Sequence, residues 1–320
     1  MSDSPQVSAP RGVFVGKAIE NRLICPDHYR LTLRLDAFPP TRAGQFVQLQ
    51  CRQLSPQRGY REVDWPADRP PRLTQPELAD REPLLRRPLS LAGRRDTAGG
   101  AELDLIYRIS GTGTRWLAGV EEGTPLSVLG PLGNAFPVSA TKTQAIAVGG
   151  GVGIPPMLYL AATLAGRGKK VVAFCGAKTR AMLPLTLDAD CSACIDARPR
   201  PCVREFAQRG AASVVTTDDG SAGFHGMVSQ ALERRLDLKD FDPRDLVVYS
   251  CGPEPMMRAV GEACARRSIE CYLAMERHMA CGVGTCQSCA CKVRAENERG
   301  WAFKLCCTDG PVFDAREIAW

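Results

Sequence analysis

The chain has 320 residues, 44% hydrophobic and 24% charged, which is a globular composition with length for two or three domains. Its 41 basic and 35 acidic residues leave a mild net charge of +6. The basic residues are scattered, which excludes a nucleic-acid arm or a polybasic membrane segment. Fifteen cysteines, with no basic and then apolar leader after Met1-Ser2-Asp3-Ser4-Pro5, point to metal or redox use in a reducing, cytoplasmic compartment rather than a disulfide framework.

In chain order, short β-type runs come first, at 13–24, 29–35, 45–51, 89–93, 103–109 and 126–129. Leu31, Leu33 and Leu35 would face one way, and Arg30, Thr32 and Arg34 the other. Six such strands with Gly/Pro turns predict an antiparallel barrel interrupted by one helix at 114–120. A proline- and arginine-rich segment at 52–81 has no sustained periodicity and reads as a surface insertion. Arg87-Pro88-Leu89-Ser90 sits at a strand start, where an arginine and a hydroxyl three residues on can hold a phosphate and a flavin edge. Ile106-Tyr107-Arg108 is followed by Gly111-Thr112-Gly113-Thr114 at a helix start, where free N–H groups favour an anion. Either motif alone is a common turn or surface charge; both in one barrel point to a flavin dinucleotide. Gly130-Pro131-Leu132-Gly133-Asn134 reads as the turn closing the barrel.

From Gln144 strands and helices alternate. Strands are expected at 145–148, 170–175, 212–216, 246–251 and 269–273, and helices at 155–164, 203–209, 227–236 and 254–267. That pattern predicts a parallel, doubly wound sheet that binds ligands at the carboxyl ends of its strands. The uncharged run from Ala145 to Gly166 contains Gly149-Gly150-Gly151-Val152-Gly153-Ile154-Pro155-Pro156, which suits a strand–turn–helix and not a membrane span. Gly149, Gly150, Gly151 and Gly153 would let a nucleotide approach the backbone. Cys251-Gly252-Pro253 ends a strand over the same crevice, with Cys251 either a small buried hydrophobe or a neighbour of a nicotinamide ring. A second insertion at 188–201 carries Cys191 and Cys194, with Cys202 just beyond; it has no matching metal half-site and gives no role.

The last stretch is Met279-Ala280-Cys281-Gly282-Val283-Gly284-Thr285-Cys286-Gln287-Ser288-Cys289, with Cys306-Cys307 later. C-x4-C-x2-C followed by a distant cysteine is the plant-type ligand spacing for a [2Fe–2S] cluster. Gly282 and Gly284 allow the backbone turns that aim N–H groups at sulfur. Zinc favours paired C-x2-4-C knuckles or cysteine with histidine, and fits this single loop less well.

A nicotinamide moves two electrons together and a [2Fe–2S] centre moves one; flavin joins them. The three parts therefore predict an electron-transfer oxidoreductase with FAD, a [2Fe–2S] cluster and NAD as co-substrate. The expected units are a FAD-binding barrel at 12–140, an NAD-binding α/β domain at 141–273 and a small iron–sulfur module at 274–320. No arginine cluster obviously suits a 2′-phosphate, and NAD against NADP stays open.

Through Arg87-Pro88-Leu89-Ser90 and Cys251-Gly252-Pro253 the chain resembles the ferredoxin–NADP reductase superfamily. Through Met279 to Cys286, Cys307-Thr308-Asp309-Gly310-Pro311-Val312-Phe313 and Thr217-Asp218-Asp219-Gly220-Ser221 it resembles more specifically the electron-transfer subunits of class 1B dihydroorotate dehydrogenase. The resemblance runs from about Val13 to Phe313. It implies FAD, one [2Fe–2S] cluster and an FMN-containing catalytic partner that oxidises dihydroorotate to orotate in pyrimidine synthesis. Electrons would pass from FMN through the cluster and FAD to NAD+, in a heterotetramer of two catalytic and two electron-transfer subunits. It places flavin contacts on Arg87, Pro88, Leu89, Ser90, Ile106, Tyr107, Arg108, Gly113 and Thr114. It places cluster ligands on Cys281, Cys286, Cys289 and one of the Cys306–Cys307 pair, and the family pattern favours Cys307. Two other readings use the same residues: a stand-alone NAD(P)H reductase feeding an oxygenase or a ferredoxin, and a zinc-binding scaffold without redox activity.

Overall fold

Leucines alternating with polar residues build the first unit: Leu31, Leu33 and Leu35 are each at most 1% exposed, as period-two patterning requires of a half-buried strand. The structure, a computed structural model, describes residues 11–54, 68, 83, 85–188, 197–238 and 241–320. In it those leucines lie on β2 (His28–Leu35). Strands β1 (Gly12–Cys25), β3 (Phe46–Leu49), β4 (Arg87–Thr97), β5 (Gly100–Arg108) and β6 (Pro125–Leu132) complete a closed barrel in the order β1-β2-β5-β4-β3-β6. All of its pairings are antiparallel. The expected strand at 89–93 is longer at both ends because β4 and β5 form a tight hairpin. Gly100 turns it at φ 129°, where an added Cβ would lie 2.0 Å from the Leu35 carbonyl oxygen. Helix α1 (Thr112–Ala118) follows β5. The insertion expected at 52–81 lies outside the described residues apart from 52–54 and 68.

The second unit is a sheet of seven strands among the described residues, in the order β10-β9-β8-β7-β11-β12-β15. Its members are β7 (Gln144–Gly150), β8 (Lys170–Ala177), β9 (Ala212–Thr217), β10 (Phe224–His225), β11 (Leu246–Cys251), β12 (Glu270–Ala274) and β15 (Val312–Asp314). Helices α2 (Ile154–Ala165) and α3 (Arg204–Ala207) cover one face, and α4 (Val228–Asp237) and α5 (Glu254–Ala265) the other. The helix expected at 203–209 is a single turn: Val203 is held extended in a bridge to Leu187, and Gly210 leaves the turn at φ 74°. The sheet winds outward in both directions from β7 and β11, so its topological switch point opens between their carboxyl ends. The uncharged run at 145–166 becomes β7, a glycine turn and α2; among the described residues no helix is long and apolar enough to cross a membrane.

The cysteine-rich segment forms a hairpin of β13 (Ala290–Arg294) and β14 (Trp301–Leu305). It then returns to the sheet, where β15 pairs antiparallel with β12. Residues 189–196, with Cys191 and Cys194, lie outside the described residues. Cys202 is disulfide-bonded, a departure from the reduced-thiol expectation, whereas the other described cysteines are free.

Three contacts fix these units together. The Tyr159 hydroxyl on α2 donates to the Thr41 carbonyl at 2.8 Å, and the Tyr249 hydroxyl on β11 donates to the Pro137 carbonyl at 2.7 Å. Asn134, just past β6, grips the tail. Its Nδ2 donates to the Asp309 and Val312 carbonyls at 3.1 and 2.8 Å, its Oδ1 accepts from the Val312 N–H at 2.9 Å, and its own N–H donates to the Gly310 carbonyl at 2.7 Å. Of the turn expected at Gly130-Pro131-Leu132-Gly133-Asn134, the first three residues are instead the end of β6, paired with β1 and β3; only Gly133 and Asn134 lie past the strand, and Asn134 anchors the segment that follows Cys307.

Asn134→Ala removes three of these bonds and is expected to destabilise the loaded protein by about 2 kcal/mol, read as a lowered melting temperature. Gly153→Ala would put a Cβ 2.0 Å from the Cys251 carbonyl oxygen. It is expected to cost about 3 kcal/mol through overpacking at the switch point, checked by the same melting measurement and by weakened NADH binding.

Candidate functional site

The cysteine loop is shaped by positive-φ residues: Gly282 at 72°, Gly284 at 91° and Gln287 at 57°. This backbone turns N–H groups inward, so that Val283 and Cys286 donate to the Cys281 sulfur at 3.5 and 3.4 Å. Ser288 Oγ lies 3.1 Å from the Cys286 sulfur and accepts the Ala280 N–H at 3.2 Å. Hydrogen bonds from the Ser288 side chain and backbone, and then from Cys281, lower the Cys286 thiol to about 6, which favours the thiolate that iron requires. The loop runs from surface to core: Cys286 is exposed, Cys281 half-buried and Cys289 buried.

The two adjacent cysteines face different neighbours. Cys307 lies against the Cys289 thiol and the Gly284 N–H, with Cys281 nearby; burial first, and then Cys289, push its thiol up to about 11. Cys306 turns to Cys291, and that contact, followed by burial, raises its thiol far above the ordinary range. The Cys306 N–H donates to the Cys289 carbonyl at 3.1 Å, which pins the start of the turn that carries both cysteines. Asp309 holds the turn, its Oδ2 accepting from the Leu305 N–H at 2.6 Å while its own N–H donates to the Leu305 carbonyl at 2.8 Å.

Among the described residues, no three His, Cys, Asp or Glu side chains are gathered closely enough to hold a metal ion. Among the thiols of this segment, Cys281 neighbours Cys286 and Cys289 neighbours Cys307, while Cys306 pairs with Cys291. The first two pairs, with backbone N–H groups aimed at sulfur, are a donor set that fits a binuclear iron–sulfur cluster.

Strand β3 joins this loop to the barrel. Val47 and Leu49 point into the barrel core, while Phe46 packs in the cluster that contains Cys289, Cys306 and Cys307. Gln48 shares the Phe46 face, and its carboxamide lies against Gly282, where an added Cβ would sit 2.6 Å from Cδ and 2.7 Å from Nε2. Across β3, Gln48 pairs with Pro88 and Phe46 with Ser90. Gln48 and Asn134 were absent from the sequence-derived site. A glutamine inside Phe46-Val47-Gln48-Leu49 was the available signal, since a strand buried on both faces has no routine use for an amide.

On the flavin side, Arg87 and Gly113 meet directly: an added Cβ at Gly113 would lie 2.6 Å from Arg87 Nε. Arg87 Nη1 donates to the Leu85 carbonyl at 2.7 Å. Thr114 uses its hydroxyl within the loop, accepting from the Ser110 and Gly111 N–H groups at 2.9 and 3.2 Å. Pro88, Leu89 and Ser90 are half-buried on β4, and Arg108 is exposed at the end of β5. Ile106 packs with Ala92 and Ile154 toward the second unit. Tyr107 departs from the group: its ring enters the barrel core, stacks on Tyr29 at 5.7 Å, and its hydroxyl donates to Asn21 Oδ1 at 3.1 Å. What Tyr107 offers a flavin is therefore its backbone. Gly113 thus lets the Arg87 guanidinium lie against the start of α1, a cation beside free N–H groups of the kind that suits a phosphate.

At the switch point, the two glycine loops touch. Gly150 abuts Pro253 and Met256, Gly153 abuts Cys251 and Gly252, and Gly149 abuts Ile154. Gly151 faces open space at φ 54°. Cys251 is 9% exposed, and burial pushes its thiol up to about 12, so it stays a neutral thiol at neutral pH. Gly149, Gly150, Gly151, Gly153, Cys251, Gly252 and Pro253 are thus brought together at the switch point, the place where doubly wound sheets bind ligands.

Comparisons with known proteins agree with this arrangement. Residues 276–319 match the iron–sulfur cluster binding domain of dihydroorotate dehydrogenase B. The chain is 41% identical over 242 residues to the dihydroorotate dehydrogenase B (NAD(+)) electron transfer subunit of Bacillus caldolyticus, covering 75% of this chain and 82% of that protein. It is 30% identical over 302 residues to the corresponding subunit of Caldanaerobacter subterraneus subsp. tengcongensis, covering 94% and 96%. A solved NADH-dependent reduced ferredoxin-NADP oxidoreductase shares the fold, with a TM-score of 0.69, 23% identity, and coverage of 95% of this chain and 90% of that one. The barrel, the doubly wound sheet and the cysteine module, together with near full-length similarity, make this chain a member of the family of dihydroorotate dehydrogenase B electron transfer subunits.

Proposed function

We infer that the chain is the electron-transfer subunit of an NAD-dependent dihydroorotate dehydrogenase. It carries to NAD+ the electrons that an FMN-containing catalytic partner removes from dihydroorotate in pyrimidine (UMP) biosynthesis. The observation that carries this reading is the junction at β3, where one strand touches the flavin-type motif on β4 and the cysteine loop on its outer face. When bound, FAD exchanges hydride with the nicotinamide and single electrons with the [2Fe–2S] cluster.

The residues divide the work. Arg87, Pro88, Leu89, Ser90, Gly113, Thr114 and the backbone of Ile106, Tyr107 and Arg108 hold FAD. Gly149, Gly150, Gly151, Gly153, Cys251, Gly252 and Pro253 position NAD, with neutral Cys251 adding no charge beside the ring. Cys281, Cys286, Cys289 and Cys307 ligate the cluster, and Cys306 is a core thiol against Cys291. The opposite facing of Cys306 and Cys307 supports this choice. The working units are 12–140 for FAD, 141–273 for NAD and 274–320 for the cluster, with β15 and Asn134 tying the last to the other two. The exposed side of the cluster loop, with Val283 44% exposed, is the face offered to the catalytic partner, in a heterotetramer of two plus two in the cytoplasm.

Cys307→Ser is expected to lose cluster iron while Cys306→Ser keeps it, measured by iron content and visible absorption; the reverse pattern would refute the ligand assignment. The isolated chain is expected to oxidise NADH with an artificial acceptor and to leave dihydroorotate untouched. Mixed with its catalytic subunit, it should form orotate with reduction of NAD+. If it forms no complex and no orotate with any FMN-containing dihydroorotate-oxidising subunit, the dehydrogenase reading fails.

A further inference from the structure

The Gln48 side chain is an amide buried without a partner between the barrel and the cysteine loop. It is 0% exposed, and neither Nε2 nor Oε1 has a hydrogen-bond partner. A primary amide brings two donors and an acceptor oxygen into the core. Leaving all of them unmet is costly, and an apolar residue of the same length would avoid the cost. Strand alternation decides where the amide points. Val47 and Leu49 take the barrel side, so Gln48 lies on the opposite face with Phe46, toward the cysteines.

The amide meets Gly282, the residue after Cys281. A Cβ there would come within 2.6, 2.7 and 2.9 Å of the Gln48 Cδ, Nε2 and Oε1 atoms. Gly282 therefore serves two ends: its φ of 72° shapes the loop, and its missing side chain admits the amide. The main chain of Gln48 is held independently. Its carbonyl accepts from Arg86 Nη1 at 3.4 Å, and its cross-strand partner Pro88 has no N–H to give. The position of the side chain is thus fixed by a strand the flavin motif also uses.

We propose that Gln48 tunes and positions the iron–sulfur centre by donating a side-chain N–H to sulfur at the Cys281–Gly282 edge of the loaded loop. The acceptor the amide lacks is supplied by the negative charge that the cluster places on its thiolates and sulfides. A donor aimed at cluster sulfur stabilises the reduced, more negative state and raises its potential. Because Gln48 stands on β3, beside Pro88 and Ser90, the same strand that supports the flavin edge would set how readily the neighbouring cluster takes the electron.

This inference rests on the cluster ligation proposed above, and the two are separable. Wild-type iron content and its electron paramagnetic resonance signal test the ligation, whereas a shift in variants that keep the cluster tests Gln48. In the full chain loaded with FAD and cluster, Gln48→Met keeps length and removes both donors, and Gln48→Glu keeps shape but sets a carboxylate against sulfur. Both are expected to lower the cluster midpoint potential. For Gln48→Met the shift corresponds to about a tenfold change in the equilibrium of electron exchange with the flavin, about 59 mV for a one-electron couple. The g-values of the reduced cluster should move and the flavin potential should not.

Unchanged cluster potential and g-values in both variants would overturn the proposal, as would an equal shift of flavin and cluster, the mark of general loosening. Pulsed electron paramagnetic resonance gives a reading that needs no Gln48 variant. With side-chain 15N-glutamine, and Gln287→Asn in the background to silence the loop's own glutamine, the reduced cluster should couple to a labelled nitrogen. Absence of that coupling would equally overturn it.

Discussion

The organisation of this protein depends on the two-sidedness of one four-residue strand. Period-two geometry forces Val47 and Leu49 to one side of β3 and Phe46 and Gln48 to the other. The first pair closes the barrel core, and Phe46 enters the apolar cluster of the cysteine module. A slip of one residue in β3 would send both sets to the wrong side, dismantling the barrel interior and detaching the cysteine loop together. The register is held by β4 on one side and β6 on the other. The distance between the flavin-type and iron–sulfur parts is thereby fixed by sheet geometry and not by a flexible linker.

A second constraint acts at the tail. Cys306 and Cys307 are the first two residues of the turn that follows β14, and their thiols meet different neighbours, Cys291 and Cys289. The backbone bond from Cys306 to Cys289, the Asp309 turn and the Asn134 clamp decide which side each takes. The clamp explains why an asparagine stands just past β6: both ends of its amide are used on a partner 175 or more residues later in the chain. Chemistry at the loop thus depends on three remote segments, β3, the Gly133–Asn134 turn and β15.

Much of this was legible in the sequence. Alternation marked the barrel strands, and Gly149–Gly153 and Cys251–Pro253 marked two loops that the sheet topology brings together at the switch point. The cysteine spacing marked the loop. What could not be read were relations between distant segments. The Asn134 clamp and the approach of Gln48 to Gly282 each join residues more than a hundred positions apart, and the pairing of β15 with β12 returns the tail to a strand that precedes the cysteine loop. Tyr107 shows the converse: its motif located the strand end, but strand parity turned its ring into the barrel. Cys306 and Cys307 stayed ambiguous because spacing alone does not reveal which way adjacent side chains point.

The central claim is that a nicotinamide crevice and a one-electron cysteine centre work together in this chain. Anaerobic titration of the purified protein with NADH, followed by visible absorption and low-temperature electron paramagnetic resonance, tests it most directly. Bleaching of a bound flavin together with the appearance of a reduced [2Fe–2S] signal is the expected result. A colourless protein, or a flavin that bleaches with no iron–sulfur signal from iron-replete protein, would contradict it.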